Sequence, residues 1–545
     1  MNEHLHSFDT NLSSGETLGQ TLPETWDAVI VGAGAAGAVF ARELTAKGLK
    51  VLMLEFGKHY QDHANEFVEN ELGVWEHIWD NSQYEISGNA LTGSPNLGRG
   101  VGGGTLAWTS VSLPFFEHDF RMRSLYGQPA GSSVEDWPLD FAELEPFYFK
   151  AEQDLGVSGT VMPWERPDRP PRPFPPFAYY RTSERLKTGM DKLRIRSAPG
   201  PVAVASRTAG NRTACLHCGF CRSGCRIDAK YQADHTLIKD ALATGRLTII
   251  DNAMVFRINQ GIQPRVATGV SFVDLRNGNT YSVKSRLLFV CNNPFEIPRL
   301  FLNSASPRHP NGLGNRFDNM GRHLLSHPGA VAVGVTDECM NGSIGYNMGN
   351  IVTLDFGTPR PRQRYYSGFV LEAINGAGAG VIAVDTYAHL FGSELKNTLR
   401  TYNQSLFVIA FCDGLPVRDN RVTVDPNALD EHGIPKAKIH YDWHPNDLKV
   451  LGAAKRALHL ILKASGAHTV QLTEKPFEAH PGGSMRMGRS PRTSVTDPFG
   501  RVHELDNVYI GGAALFVTGS SVNPTQTLHA LALRTADHVK RRFRL

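Results

Sequence analysis

The chain has 545 residues, 41% hydrophobic and 20% charged, which is ample apolar material for two or more domains. Its net charge of +3 is too near neutral to point to nucleic acid or an anionic membrane surface as partner. No apolar run approaches the ~18 residues of a membrane span, and the polar stretch Met1 to Glu24 has no apolar export core and no arginine pair, so neither a membrane anchor nor an export signal of the chain's own is expected.

Residues 1–25 read as a tail. Asp27 to Val31 is an apolar, β-branched run that leads into Gly32-Ala33-Gly34-Ala35-Ala36-Gly37, and Ala38 to Leu44 follows with helical spacing. Lys50 to Leu54 is a second buried-strand pattern and ends on Glu55. Strand, Gly-x-Gly-x-x-Gly turn, helix, strand and acid at this spacing form a dinucleotide-binding unit. Gly32 permits the tight turn, Gly34 lets the backbone approach a pyrophosphate, and Gly37 lets the helix pack on the strand. Ala35 and Ala36 open the helix, whose unpaired N–H groups hold phosphates. Glu55 is placed to accept from ribose hydroxyls.

Residues 58–96 are mixed and aromatic and read as an excursion over the ligand. Leu97 to Trp108 holds five glycines, a backbone stripped of side chains that suits passage along a flat ligand. Phe141 to Leu155 reads as a helix, and the proline-rich 161–176 as extended chain. A helix is expected at 233–242, strands at 247–250, 253–256, 266–272, 281–283 and 287–290, and a short helix at 296–302. Residues 330–445 alternate strand patterns with Gly and Asn turns, the pattern of a largely antiparallel sheet. Leu448, Val450, Leu451, Ala454, Leu458 and Ile461 mark a helix over about 446–465. The chain ends in strand, loop and a helix from about Thr525 to Val539. The expected fold is α/β: a discontinuous Rossmann-like nucleotide domain (26–125, 205–330 and 475–545) with an inserted α+β substrate domain (126–204 and 331–474) built on a mostly antiparallel sheet.

Cys215, Cys218, Cys221 and Cys225 stand as C-x2-C-x2-C-x3-C, the bacterial ferredoxin spacing, with Arg226 where ferredoxins carry proline. An iron–sulfur cluster (3Fe-4S or 4Fe-4S), a structural zinc, and disulfides or free thiols are all open readings. Cys291, Cys339 and Cys412 are scattered and read as small buried hydrophobes.

The glycine turn, Glu55 and the Gly98–Trp108 loop, taken with Gly321 to Pro328 and the carboxyl end, resemble the glucose–methanol–choline (GMC) flavoprotein oxidoreductases. The most specific part is His480-Pro481-Gly482-Gly483-Ser484-Met485-Arg486-Met487-Gly488, with Asp497 to Val502, Asn507-Val508-Tyr509 and Ser521 to Thr527. The cysteine segment followed by Asp228-Ala229-Lys230-Tyr231 is similar to the large subunits of bacterial gluconate, fructose and FAD-glucose dehydrogenases. Long-chain alcohol oxidases of the family also carry a cysteine-bearing stretch.

The resemblance implies FAD, contacted by the turn and by Arg99, Gly102, Gly103, Gly104, Thr105, Ala107, Val255, Gly512, Asn523, Pro524 and Thr525. Binding is expected to be non-covalent, because Ala107 stands where some relatives carry a flavin-linking His. Gly511-Gly512-Ala513-Ala514 departs from an Asp that many members have there. The implied reaction oxidises the CH–OH group of an alcohol, in particular a sugar, glycoside or polyol. His480 takes the hydroxyl proton, flavin N5 takes the hydride, and Asn523 holds the substrate oxygen. His suits the base because its ordinary pKa is near neutral. Asn523 also reads as an N-cap, His327 as structural or pocket-lining, and His529 as a core residue. A cytochrome c acceptor and a small chaperone-like subunit are the expected partners. The cytoplasm is the expected location, with the periplasm, reached alongside a signal-bearing subunit, as the alternative. An oxygen-using alcohol oxidase, an FAD-dependent lyase and a non-catalytic electron-transfer subunit are the competing readings.

Overall fold

The computed structural model describes residues 20–67, 69–72, 74, 77–80, 84–90, 97–210, 212–360, 363–376, 378–385 and 387–545. Most of the expected tail, and 81–83 and 91–96 of the expected excursion, lie outside the described residues.

The nucleotide unit forms as its pattern requires, but its first strand starts early. Gln20–Val31 pairs in parallel with Val51–Leu54 on one edge and Thr280–Val290 on the other. Gln20 to Thr25 is therefore strand and not tail. Its pairing partners, Tyr281 to Lys284, are remote in sequence, so no local pattern reveals them. Leu247–Ile250 extends the parallel sheet beyond Val51–Leu54. The far edge of Thr280–Val290 is shared: Ala267–Asp274 runs antiparallel along its first half, and Val508–Ile510 runs parallel along its last three residues. Ala253–Gln260 completes seven strands. Ala28 to Val31, Val51 to Leu54 and Leu287 to Val290 are apolar on both faces because the sheet is covered on both.

Helix Phe141–Leu155 has the expected bounds but an unexpected place. Asp154 on it pairs with Arg42 at 2.6 Å, and its Tyr148 hydroxyl bonds Thr527 Oγ1 at 2.9 Å. It therefore packs with helices Ala35–Thr45 and Thr525–Phe543 of the nucleotide unit, which corrects its assignment to the substrate domain. Helix Arg181–Lys192 goes the other way and buries Leu186 and Met190 beside helix Pro445–Ala464.

The second sheet has six antiparallel strands. Leu325–Val335 pairs with Ser405–Cys412 on one edge, and with Thr469–Leu472 and Phe477–Gly482 on the other. Phe369–Ile374 and Met348–Thr353 follow outward from Ser405–Cys412. Helix Pro445–Ala464 covers one face with Val450, Ala454, Leu458 and Ile461. One part of the expected sheet is elsewhere. The hairpin Arg421–Leu429 and Pro435–His440 pairs with Glu85–Ser87, and this small sheet packs on Phe295 and Leu324 of the nucleotide side. Among the described residues, no helix is long and apolar enough to cross a membrane.

Candidate active site

The two glycine segments meet at the carboxyl end of the parallel sheet. Gly32 has φ +97°, and a Cβ there would stand 2.9 Å from the Cys291 carbonyl carbon. A Cβ on Gly37 would stand 2.1 Å from the Gly32 oxygen, so helix and turn pack with no room for a side chain. A Cβ on Gly103 would stand 2.7 Å from Gly34 Cα, and the Gly102 N–H donates to the Ala33 oxygen at 3.0 Å. The second glycine loop thus lies directly on the first turn.

Glu55 clamps the junction. Its carboxylate accepts the Ala33 N–H at 2.8 Å, the Gly57 N–H at 2.9 Å and the Gly100 N–H. Burial pushes the Glu55 carboxyl up, against the pull of these donors and of Arg99. The sequence places Glu55 on a ribose; the structure first makes it the tie between both glycine segments.

A cavity of about 910 Å³ runs from this junction to the six-stranded sheet. Gly32, Gly34, Ala35, Ala36, Glu55, Arg99, Gly103, Gly104, Thr105, Ala107 and Val255 line it, as do His480, Gly512, Asn523, Pro524 and Thr525. Gly37 and Gly102, also expected at the cofactor, are not among the residues that line it. Both serve packing: a Cβ on Gly102 would stand 2.7 Å from Leu106 Cδ2.

The lining fits a dinucleotide. A Cβ on Gly104 or Gly512 would meet no protein atom within 4 Å, and one on Gly34 would meet just Gly103 Cα at 3.9 Å. Gly104 has no positive φ, so neither the fold nor its conformation demands glycine there, and the space beside it is open to a ligand. Helix Ala35–Thr45 has no acidic residue in its first turn and no side-chain cap, so its N–H groups are left for an anion. Asn292 Oδ1 and Asn523 Oδ1 are buried, line the cavity and have no partner in the protein.

His480 enters from strand Phe477–Gly482. Its pairing with Leu325–Val335 slips between Ala479 and Gly482, where His480 has φ +57°. Such a bulge re-aims a side chain out of the ladder. Burial pushes His480 down to about 4, so the ring is neutral at pH 7. Its Nδ1 lies 3.2 Å from His327 Nδ1, and its ring centroid 5.0 Å from that of Phe411. His327 does not line the cavity; it stands behind His480 and is pushed well down by burial and by that neighbour. Its only advance sign in the sequence was its place in Gly321 to Pro328. His323 of the same block bonds Ser133 Oγ at 2.6 Å, away from the cavity, and His529 is a core residue 3.2 Å from Asp154.

Asn523 is 4% exposed and caps nothing. The N-cap residue of Thr525–Phe543 is Pro524, so the capping reading of Asn523 is withdrawn and its oxygen is available to a ligand.

The cysteine segment forms one wall through Gly219, Phe220, Arg222 and Ser223. Cys221 is buried and Cys218 exposed, so the segment reaches from cavity to surface. No disulfide joins the four, which leaves free thiols of that reading. Among the described residues no three of their sulfurs converge within 4.8 Å. Thiolates on one zinc would be about 3.8 Å apart, from Zn–S bonds of ~2.3 Å in a tetrahedron, a tighter set than any three of these sulfurs form here. Each sulfur does receive a backbone N–H: from His217 at 3.4 Å on Cys215, from Phe220 on Cys218, from Asn347 on Cys221, and from Lys230 at 3.5 Å on Cys225.

Sequence reasoning missed the cluster beneath this segment. His63 bridges Asp228 at 2.8 Å and Asp234 at 2.7 Å, and these partners hold it up at about 9 despite its burial. An imidazolium thus ties the cysteine segment to the residues under the second glycine loop.

Comparison with known proteins gives two matches to a family model described as GMC oxidoreductase, over residues 198–329 and 416–532. Residues 30–70 match an NAD(P)-binding Rossmann-like domain. The chain is 27% identical over 542 residues to the 2-methyl-1,2-propanediol dehydrogenase of Mycolicibacterium austroafricanum, covering 96% of each. It is 27% identical to the fructose dehydrogenase large subunit of Gluconobacter japonicus, covering 94% of this chain and 97% of that one. A solved formate oxidase of Aspergillus oryzae RIB40 shares the fold, with a TM-score of 0.68 at 14% identity over 97% of this chain and 100% of that one.

Proposed function

We propose that this chain, which belongs to the GMC oxidoreductase family, oxidises the CH–OH group of an alcohol with His480 as base. One observation carries the reading: His480 and the unpartnered Asn523 oxygen open on the same cavity as the glycine cradle. FAD, held non-covalently by that cradle beside Ala107, supplies the hydride acceptor.

The chain's own residues handle the proton. His327 bonds the Ser520 backbone, an interaction that favours its N–H form. With that N–H on Nε2, His327 Nδ1 can only accept. His480 Nδ1 then donates across the 3.2 Å contact, and His480 Nε2 is left bare to take the hydroxyl proton. The Asn523 amide N–H donates to the substrate oxygen beside it, which leaves that oxygen's own proton for His480. In the FAD-loaded enzyme, His480→Ala should retain flavin and lose about 10²–10⁴-fold in the rate of anaerobic flavin bleaching by alcohol; an unchanged rate would sink the assignment.

Cys215, Cys218, Cys221 and Cys225 would hold an iron–sulfur cluster, which supplies one-electron transfer towards an acceptor such as cytochrome c. Two features support this: an N–H donor on every sulfur, and a position between the cavity wall and solvent. A dehydrogenase reading follows, over the oxidase and lyase readings. Protein purified anaerobically from cells with full cluster-assembly capacity should contain iron and sulfide. Iron-free protein, or rapid turnover with oxygen as sole acceptor, counts against it.

A further inference from the structure

The six-stranded sheet is apolar on both faces: helix Pro445–Ala464 covers one, and on the other helices Ala379–Asp385 and Gly392–Arg400 cover the part around Val333 and Phe407 while the rest opens on the cavity. On the side of helix Pro445–Ala464, Leu406, Val408 and Ala410 pack with Val450 and Leu458. On the other, Phe407, Ile409 and Phe411 alternate with them, and with Val331, Ile374 and Phe477 they line the cavity. Phe411 lies 5.0 Å from the His480 ring, centroid to centroid, so this hydrocarbon wall begins at the base itself.

The polar side chains this sheet and its connections add to the cavity, besides His480, are Asn347, Thr473 and Glu478 among the described residues. Asn347 spends its amide donors on the Gly219 oxygen at 2.8 Å and the Asn375 oxygen at 3.3 Å. Thr473 Oγ1 accepts the Val331 N–H at 3.2 Å, and Glu478 has an interaction of its own. What remains is the Thr473 O–H as a donor, Asn347 Oδ1 as an acceptor with no partner and, on the neighbouring walls, the unpartnered Ser110 Oγ and Ser223 Oγ. Of the other charged lining residues, Arg299 pairs with Asp430 and Glu296 at 2.6 and 3.1 Å and Arg99 lies over Phe56, next to Glu55, at the nucleotide end, while Arg222 on the cysteine wall lies over Trp79.

A sugar or open-chain polyol carries a hydroxyl on nearly every carbon, and each one buried against hydrocarbon loses its water without replacement. An alkyl, branched or aromatic carbon skeleton gains from the same wall. We infer that the substrate is a mainly hydrocarbon alcohol with few further hydroxyls, one of which donates to Asn347 Oδ1. This rests on the alcohol-oxidising reading above and replaces its sugar or polyol expectation.

The test is anaerobic flavin bleaching in the FAD-loaded full chain with two series: primary alcohols from ethanol to octan-1-ol with benzyl alcohol and cyclohexylmethanol, against glucose, fructose, gluconate and glycerol. In the first series kcat/KM should rise about fourfold per added methylene until the wall is filled, from ~0.8 kcal/mol per buried CH₂. The second series should bleach at least ~100-fold less efficiently. Ile409→Asn should keep its flavin content and flatten the chain-length dependence. A sugar that outperforms every hydrocarbon alcohol, or a dependence that is flat in the unaltered protein, overturns the inference and leaves alcohol oxidation standing. No bleaching by either series overturns alcohol oxidation itself, and the inference with it.

Discussion

The two ends of the cavity are built from different materials. The nucleotide end is largely backbone: Gly32, Gly34, Gly103, Gly104 and Gly512 present N–H groups, carbonyls and Cα atoms, and Glu55, the carboxylate at the glycine junction, is engaged with backbone N–H groups. The substrate end is side chain: Phe407, Ile409, Phe411 and Phe477 stand out from a regular sheet. A backbone site fixes its ligand closely and tolerates little change. A side-chain wall can be altered residue by residue while the ladder beneath it stays intact.

The largest expected effect tests the intolerance of the first end. Gly37→Ala puts a methyl 2.1 Å from the Gly32 oxygen, a backbone atom with nowhere to move. It should cost about 3 kcal/mol or more and yield protein without flavin, as read by thermal melting and the visible absorbance of the purified chain. A normal melt with bound flavin would show that the turn can shift and would break the contrast. Next, Gly104→Ala meets no protein atom within 4 Å. The apo-protein melt should stay within about 0.5 kcal/mol of the parent, while FAD affinity falls about tenfold or more, the equivalent of ~1.4 kcal/mol. Equal FAD affinity would mean the cradle at Gly104 faces no ligand.

A smaller effect separates the ends by pH. His480 is held down to about 4, so between about pH 6.5 and 4 the unfolded chain binds more protons at this site than the folded one. This contribution is intact above pH 6.5 and is lost as pH falls towards 4. His63 has the opposite sign. Held up at about 9, it stabilises fully below pH 6.5, and that stabilisation is lost as pH rises through 9. Melting temperature against pH should lose part of its acid slope in His480→Gln and part of its alkaline slope in His63→Gln. The same profile in both variants would refute the assignment.

The same contrast explains what could be read in advance. Gly-x-Gly-x-x-Gly and the second glycine loop carry their geometry in the residue type, because few other residues fit a Cβ-free contact. Helix Pro445–Ala464 was legible because its apolar residues recur at helical spacing. Helix Arg181–Lys192 was not: Thr182, Ser183 and Gly189 are among the residues it buries, and they carry no hydrophobic signal. The hairpin at 421–440 looked like more of the large sheet because strand periodicity does not name a partner, and its partner is Ile86 opposite Ile439. Strand Phe477–Gly482 was hidden by Pro481, and with it the bulge that turns His480 into the cavity. The apolar wall had no motif because hydrophobic strand residues look the same whether they face a helix or a substrate.

Strand Leu325–Val335 carries the wall strand Ser405–Cys412 on one edge and the His480 strand on the other. Base and wall are therefore parts of one rigid plate, joined through main-chain hydrogen bonds and not through loops. Exchanging side chains on the plate would retune what is accepted without moving the group that starts the reaction, so new specificities are reachable by single substitutions that leave the chemistry in register.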